Sequence, residues 1–427
     1  MALQLPFAAP AAASPSLGNP LAWGGNSRGQ LGNNSTADSY LPVQVQNLSS
    51  VTGIAAGTYH SLAVKSDGTV RAWGENSEGQ LGNNSTADNY LPVQVQNLSS
   101  VTGIAAGAYH SLAVKSDGTV WAWGWNGNGQ LGDTSTTNRR IPVQVSGLSG
   151  VVAIAGGSEH SLALKSDGIV WAWGYNGHGE LGDGTTTRRL IPVQVSGLNG
   201  VVAVSSGGYH SLAVKSDGTV WAWGNNSKGQ LGDNTTTQRL TPVQVSGLSG
   251  MVAVSSGAYH SLALKSDGTV WAWGSNGSGE VGDNSVTQRN TPVQVHNLSG
   301  VVAISGSALS HHSLALKSDG TVWAWGWNGN GQLGDTSTAD RYTPVQVQNL
   351  SGAVAIAAGF GHSLATVPNL LPGDANGDGE VNSIDITQVE RIIVHLDDPT
   401  PSSDVNQDGI INAIDITSVE RIIAGPG

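Results

Sequence analysis

Two stretches near the C-terminus place oxygen donors at regular intervals: DANGDGEVNSID, residues 374–385, and DVNQDGIINAID, residues 404–415. Calcium takes six to eight oxygens, and a twelve-residue loop supplies them from positions 1, 3, 5, 7, 9 and 12, with glycine at 6 for the turn. The first loop offers Asp374, Asn376, Asp378, the carbonyl of Glu380, Asn382 and Asp385 around Gly379. The second offers Asp404, Asn406, Asp408, the carbonyl of Ile410, Asn412 and Asp415 around Gly409. One such loop can be a solvated acidic turn. Two in tandem point to a calcium-binding unit with two ions.

Elsewhere the residues that could do chemistry recur rather than cluster. Histidine heads an HSLA phrase seven times, for example in HSLAVKSDGTVWAWG from His210 to Gly224, but no carboxylate or second histidine accompanies it at a fixed ligand spacing. A residue repeated at one structural position reads as a repeated hydrogen bond. The Trp pairs at 121/123, 171/173, 221/223, 271/273 and 323/325 read as packing between units. No nucleophile–base pair or phosphate loop is apparent, and Glu75, Glu78, Glu159 and Glu180 are scattered rather than paired at one place. A non-catalytic binding protein is the reading these residues favour. A polysaccharide-degrading subunit and a protein inhibitor are the alternatives.

The elements that must carry these residues follow from a repeat. The Trp of an AWG phrase falls at 23, 73, 123, 173, 223, 273 and 325, with a step of 50 broken once by 52. Two extra residues in SGSALSHHSLAL (305–316) account for that step, and His311 lies in this insertion with no readable role. Each unit reads as four strands: a small-residue run such as VVAVSSG, the alternating HSLAVK, a Ser-Asp-Gly hairpin turn, TVWAWG, and, after a polar loop, PVQV. The sequence predicts an all-β propeller of seven four-stranded antiparallel blades. The first AWG has no HSLA before it and the last HSLA has no AWG after it. The last blade is therefore expected to take its inner strands from the C-terminal side and its outer strands from residues 21–46.

Successive turns of such a blade alternate between two faces. The turn before HSLA and the WG-x-N-x-x-G-Q loop share one face; KSDG and the NLSG-type link share the other. Copies 21–70 and 71–120 differ only at 21/71, 25/75, 28/78, 39/89 and 58/108, four of which fall in the first and third turns. Variable loops on a repeated scaffold are the usual carriers of binding. The candidate ligand-binding rim therefore comprises Tyr59, Glu75, Glu78, Tyr109, Trp125, Tyr175, His178, Tyr209, Asn225, Lys228, Tyr259 and Trp327, with Trp125 and Trp327 as an exposed stacking platform.

The stretches WGWNGNGQLGD (123–133), IPVQV and VVAIAGGSEHS (151–161) resemble the regulator-of-chromosome-condensation repeat family, over residues 21–366. That resemblance implies a seven-bladed propeller and leaves function open, because unrelated activities share the fold. The tandem calcium loops each run into a helix-like segment, IDITQVERIIVH and IDITSVERIIAG, with one apolar face. With Asp at position 12 and no helix entering each loop, the tail resembles a dockerin. The resemblance implies a small all-α domain that plugs into a cohesin of a scaffold or cell-surface protein, and an extracellular or cell-surface location. It implies cohesin contacts at Ser383, Ile384, Arg391, Ala413, Ile414 and Arg421, although Glu390–Arg391 and Glu420–Arg421 stand where a Lys-Arg pair is common.

Charge and composition agree with this division. Residues 367–427 hold 11 acidic and 2 basic residues, against 19 and 16 in the rest, so an almost neutral body carries an acidic tail. A nucleic-acid partner would need a basic face. The chain has no cysteine and no run long enough to span a membrane, and the propeller is expected to be monomeric. The expected boundaries are a flexible segment at 1–20, the propeller at 21–366, a linker at 367–373 and the calcium-binding domain at 374–427. The opening MALQLPFAAPAAASPS has the small-residue end of a signal peptide without its basic start.

Overall fold

A computed structural model describes residues 18–368. The leading segment and everything after Pro368, including both expected calcium loops and the expected cohesin contacts, lie outside the described residues.

A central unit shows how the sequence becomes structure. Strands Val201–Ser206, His210–Lys215, Val220–Gly224 and Arg239–Gln244 form one antiparallel four-stranded sheet in chain order. The second and third pair residue for residue, from His210 opposite Gly224 to Val214 opposite Val220. The register slips between Ala222 and Gly224 against the outer strand, which bends the sheet edge outward. In the second strand every residue before Lys215 is buried, because units cover it on both faces. That is why HSLAVK is small or apolar at nearly every position.

The core lies between units. Leu212, Val214, Val220, Leu231 and Val245 pack with Trp273, which belongs to the following unit. The same arrangement brings Trp223 against Leu162, Leu164 and Leu181. Trp121, Trp171, Trp221, Trp271 and Trp323, two residues earlier in the same strands, are only half-buried. Lys115, Lys215 and Lys317 lie 5.6–5.7 Å from the rings of Trp121, Trp221 and Trp323, within cation–π range.

The unmatched ends find each other. Gly18–Gly24 pairs antiparallel with His362–Pro368 over seven residue pairs, from Gly18 opposite Pro368 to Gly24 opposite His362. Ala355–Ala358 flanks the C-terminal strand and Ser39–Gln44 flanks the N-terminal one, which completes a four-stranded unit from both ends of the chain. Trp23 is fully buried among Leu314, Leu316 and Leu333. The inner strands Val51–Ala56 and Ala355–Ala358 also pack together. The inner strands line a central cavity of about 690 Å³, walled largely by Ala, Val, Ile, Gly and Ser.

One glycine position explains itself. A Cβ on Gly207 would meet the ring of His210 and, at 2.7 Å, the carbonyl of Gly257, so only glycine lets the turn close over the histidine. Gly207→Ala is expected to cost about 2–3 kcal/mol as an overpacked, strained site. Gly247→Ala, in open space at φ +72°, should cost about 1 kcal/mol from its backbone alone. Denaturant unfolding of the two variants side by side checks the difference; equal losses would mean that the histidine contact imposes nothing.

Candidate functional site

The repeated histidines are linkers between units. His210 Nε2 lies 2.9 Å from Ser261 Oγ of the next unit, and His60, His110, His160, His260 and His312 reach Ser111, Ser161, Ser211, Ser313 and Ser363 at 2.9–3.1 Å. The last, His362, returns to Ser61 at 3.0 Å. Each serine hydroxyl donates to a main-chain carbonyl, as Ser211 does to Glu180 at 2.9 Å, so it accepts the proton of Nε2. That fixes the tautomer and leaves Nδ1 of His60, His110, His210, His312 and His362 buried without a partner. Burial lowers the pKa of six of these histidines to about 3 and that of His260 to about 4. Among the described residues no group of three or more His, Asp or Glu could hold a metal ion.

The conserved-looking letters of the third turn are equally structural. Asn226 donates to Asp233 Oδ1 and to the carbonyls of Thr235 and Thr237, and accepts the amide of Leu231. Gln230 accepts the amide of Lys228. Asp233 holds Arg239 at 2.6 Å. These buried bonds stiffen the loop and leave the residues between them free to vary.

The variable residues come together by backbone bonding. The amide after each AWG donates to the carbonyl just before the HSLA histidine: Glu75 to Tyr59, Trp125 to Tyr109, Tyr175 to Glu159, Asn225 to Tyr209, Ser275 to Tyr259, Trp327 to His311 and Gly25 to Gly361, at 2.7–2.9 Å. First and third turns therefore share one face. On the other face Met251 N donates to Gly218 O and Ser216 N to Gly200 O, tying KSDG turns to the links.

Aromatic rings gather on the variable face in two groups. Tyr209 lies 6.4 Å from Tyr175, 6.0 Å from His178 and 6.0 Å from Tyr259, ring centroid to centroid. Phe360 lies 5.8 Å from Tyr59 and 5.7 Å from Trp327. Carboxyl groups accompany both. Burial raises the pKa of Glu75, with Arg28 nearby in opposition. It also raises Glu159, which accepts Asn128 Nδ2 at 2.6 Å. Glu180, fully buried, is raised to about 7 by the same cause. Glu280 is the exception: burial opposes its ionisation, but a hydrogen bond from His311 and the nearby His260 outweigh it and lower the pKa.

Such a face is stiff beneath and unlike from unit to unit above. Residues 11–206 and 186–365 match the RCC1-like domain family. The chain belongs to this family. Residues 372–424 match the dockerin type I domain, so the RCC1-like domain is followed by a dockerin type I domain. Prp20p from Saccharomyces cerevisiae has the same fold, with a TM-score of 0.73 and 23% identity over 83% of this chain and 92% of that one. Human WBSCR16 gives 0.74 and 24% over 83% of this chain and 100% of that one. The ultraviolet-B receptor UVR8 of Arabidopsis thaliana is 41% identical over 56 residues, a match spanning 13% of each protein. The RCC1-like domain is thus an all-β, propeller-like fold with four-stranded antiparallel blades.

Within the RCC1-like domain the expected rim residues land on one face, with corrections. Tyr59, Tyr109, Tyr175, His178, Tyr209, Asn225, Tyr259 and Glu78 are half-buried there, and Lys228 is exposed. Glu75, expected as a rim ligand group, is only 8% exposed, because its side chain folds inward beside Ser77. Trp125 and Trp327 are half-buried rather than a free platform, and Phe360 covers part of Trp327. Glu159 and Glu180, read as scattered, influence each other across one unit. His311 is not an inserted residue but the rim counterpart of Tyr209 and Tyr259; the extra residues form a turn in which Ser310 N donates to Ser307 O at 3.0 Å. Sequence reading missed Phe360 and Glu280. Aligning every unit on its HSLA histidine and its AWG would have placed both on the rim.

Proposed function

We propose that this protein is a non-catalytic, extracellular binding protein. The rim of first and third turns takes a ligand, and the dockerin fastens the protein to a cohesin-bearing scaffold. In this reading the RCC1-like domain, residues 21–366, is a closed ring of seven blades, supported by the pairing of Gly18–Gly24 with His362–Pro368 and by the His362–Ser61 bond. A linker at 367–373 leads to a domain at 374–427. Dockerin type I domains bind calcium; here two ions would be held by Asp374, Asn376, Asp378, Glu380, Asn382 and Asp385, and by Asp404, Asn406, Asp408, Ile410, Asn412 and Asp415. Ser383, Ile384, Arg391, Ala413, Ile414 and Arg421 would face the cohesin.

The observation that carries the reading is the contrast between faces. KSDG recurs unchanged on one, while the other presents Tyr, Glu, His, Trp, Asn and Lys in non-repeating order on a bonded frame. Affinity capture from extracellular extract tests both halves, with the whole chain and a chain ending at Leu370 as baits, each with calcium and with a chelator. The whole chain in calcium is expected to retain a cohesin-bearing protein that chelation releases completely. Both baits are expected to retain the rim ligand regardless of calcium, and Trp327→Ala should lower that retention about tenfold, as loss of an aromatic anchor does. Rim-ligand capture that survives Trp327→Ala and Tyr209→Ala together would sink the rim assignment.

A further inference from the structure

Three carboxyl clusters lie on the variable face, and they differ in what neutralises them. Glu75 sits near Arg28, which also pairs with Asp88 at 3.5 Å. Glu280 has His311, whose Nδ1 is 3.5 Å from Oε1. Glu159 and Glu180 form no ion pair with a lysine or arginine among the described residues. Glu159 receives only the neutral amide of Asn128. Glu180 is 0% exposed; Oε2 accepts the amide of His178, while Oε1 has no partner. Five other units place glutamine here, at 30, 80, 130, 230 and 332, which needs no counter-charge. Tyr175 and His178 adjoin these residues, through Tyr175 N to Glu159 O and His178 N to Glu180 Oε2, and Tyr209 packs against both rings, with Tyr259 beyond.

We infer that the Glu159–Glu180–Tyr209 cluster is a binding site for an organic cation, the ammonium or guanidinium of a basic side chain presented by a protein ligand. The inference rests on the rim being the ligand face and names the chemistry that one part of it takes. Aromatic faces attract cations electrostatically, more so where water is excluded. A buried carboxylate without a partner gains a charge-assisted hydrogen bond when a cation arrives. Because Glu180 is fully buried, the charged head must come on a long slender stem, which is the shape of a lysine or arginine side chain.

Binding should carry a pH signature of defined sign. The pKa of Glu180 is raised to about 7 by burial, so below neutrality the carboxyl is protonated and offers a cation less. Glu159, Tyr175, His178 and Tyr209 face the same space; an imidazolium at His178 would repel the same ligand, and comparison with Glu180→Gln isolates the carboxyl.

The test is calorimetric titration of the whole chain in calcium with four probes: a peptide alternating lysine and glycine, its glutamate counterpart, n-butylammonium, and a neutral β-glucan oligosaccharide. The lysine peptide is expected to bind alone or at least tenfold more tightly than the others, and about tenfold more tightly at pH 8 than at pH 6. Glu180→Gln, which installs the residue of five other units and so should fold, and Glu159→Gln are each expected to weaken it about tenfold, with the pH dependence flattened in the first. Asp267→Asn on the opposite face should leave binding within about twofold. A lysine peptide that fails to bind, or binds both glutamine variants unchanged, overturns the inference. Equal affinity for n-butylammonium overturns the protein-ligand part. Oligosaccharide binding that Trp327→Ala abolishes, with no peptide binding, would overturn the cation site while leaving the rim as the ligand face.

Discussion

Acidification from pH 7 to pH 4 is expected to unfold the RCC1-like domain in one cooperative step. Seven histidines are buried in neutral form, six with a pKa near 3 and His260 near 4, against 6.5 when exposed. A depressed pKa means that the unfolded chain binds more protons below pH 6.5. The stability each histidine contributes is therefore whole above that value and declines as pH falls toward 3. The loss is about 1.4 kcal/mol per pH unit per group. At pH 4 that amounts to about 3 kcal/mol for one histidine and on the order of 20 for seven, more than the ~5–15 kcal/mol that holds a typical domain together. Glu75, Glu159 and Glu180, with raised pKa values, change in the opposite sense and gain on protonation, but they are three against seven. Tryptophan fluorescence against pH measures the step, since Trp23, Trp73 and their five counterparts are wholly buried and would become wet together. A domain still native at pH 3.5 would mean that the histidines are solvated, contrary to their hydrogen-bonded burial.

Removal of residues 1–24 is expected to be the most damaging deletion. It takes away the strand Gly18–Gly24, leaves Ser39–Gln44 without its neighbour, and exposes the edge of His362–Pro368. Trp23 goes with it, and its buried Nε1 bond to the carbonyl of Gln332 at 2.8 Å. Trp23→Ala alone should cost about 3–5 kcal/mol, the usual loss for a buried tryptophan. The deletion adds the lost strand pairing and an open edge that invites association between chains. Thermal unfolding with size-exclusion chromatography checks both effects: a lower midpoint than Trp23→Ala, and oligomers where the whole chain gives a single species. A deleted chain that melts with the intact one would show that the terminal strands pair without contributing stability, and the proposed closed ring would lose its main support.

The two results together locate what holds this fold. Each sheet is short and would not stand alone; stability comes from interfaces where a tryptophan of one unit enters the apolar cluster of its neighbour and a histidine bonds the neighbour's serine. Such a chain behaves as a nearest-neighbour system. The pairing of Gly18–Gly24 with His362–Pro368 joins the first and last described strands.

Much of this was readable from the residues. The fifty-residue period, the alternation in HSLAVK and the Asp-Gly turn specify local structure through backbone geometry and side-chain size, which do not depend on distant contacts. Even the pairing of the termini followed from counting phrases, because one AWG and one HSLA had no partner within their own ends of the chain. The division of turns into two faces followed from strand direction alone. The dockerin type I domain was likewise visible as spacing, since its repeated loop pattern is local in sequence.

What only the tertiary structure decided is how those turns meet. Glu75 reads as a surface charge but is buried, and Glu180 reads as one more polar letter in a loop but is wholly buried beside the Tyr175 ring. His311 looks like part of an insertion, and only the Trp327 N–His311 O bond returns it to the rim. Burial, partner and pKa are properties of the space between residues, and that space here is bounded by turns about twenty, thirty or fifty positions apart. A periodic sequence declares its frame because the frame is repeated. Its proposed binding face is where the repeat breaks, and the chemistry of each break depends on neighbours that no local pattern encodes.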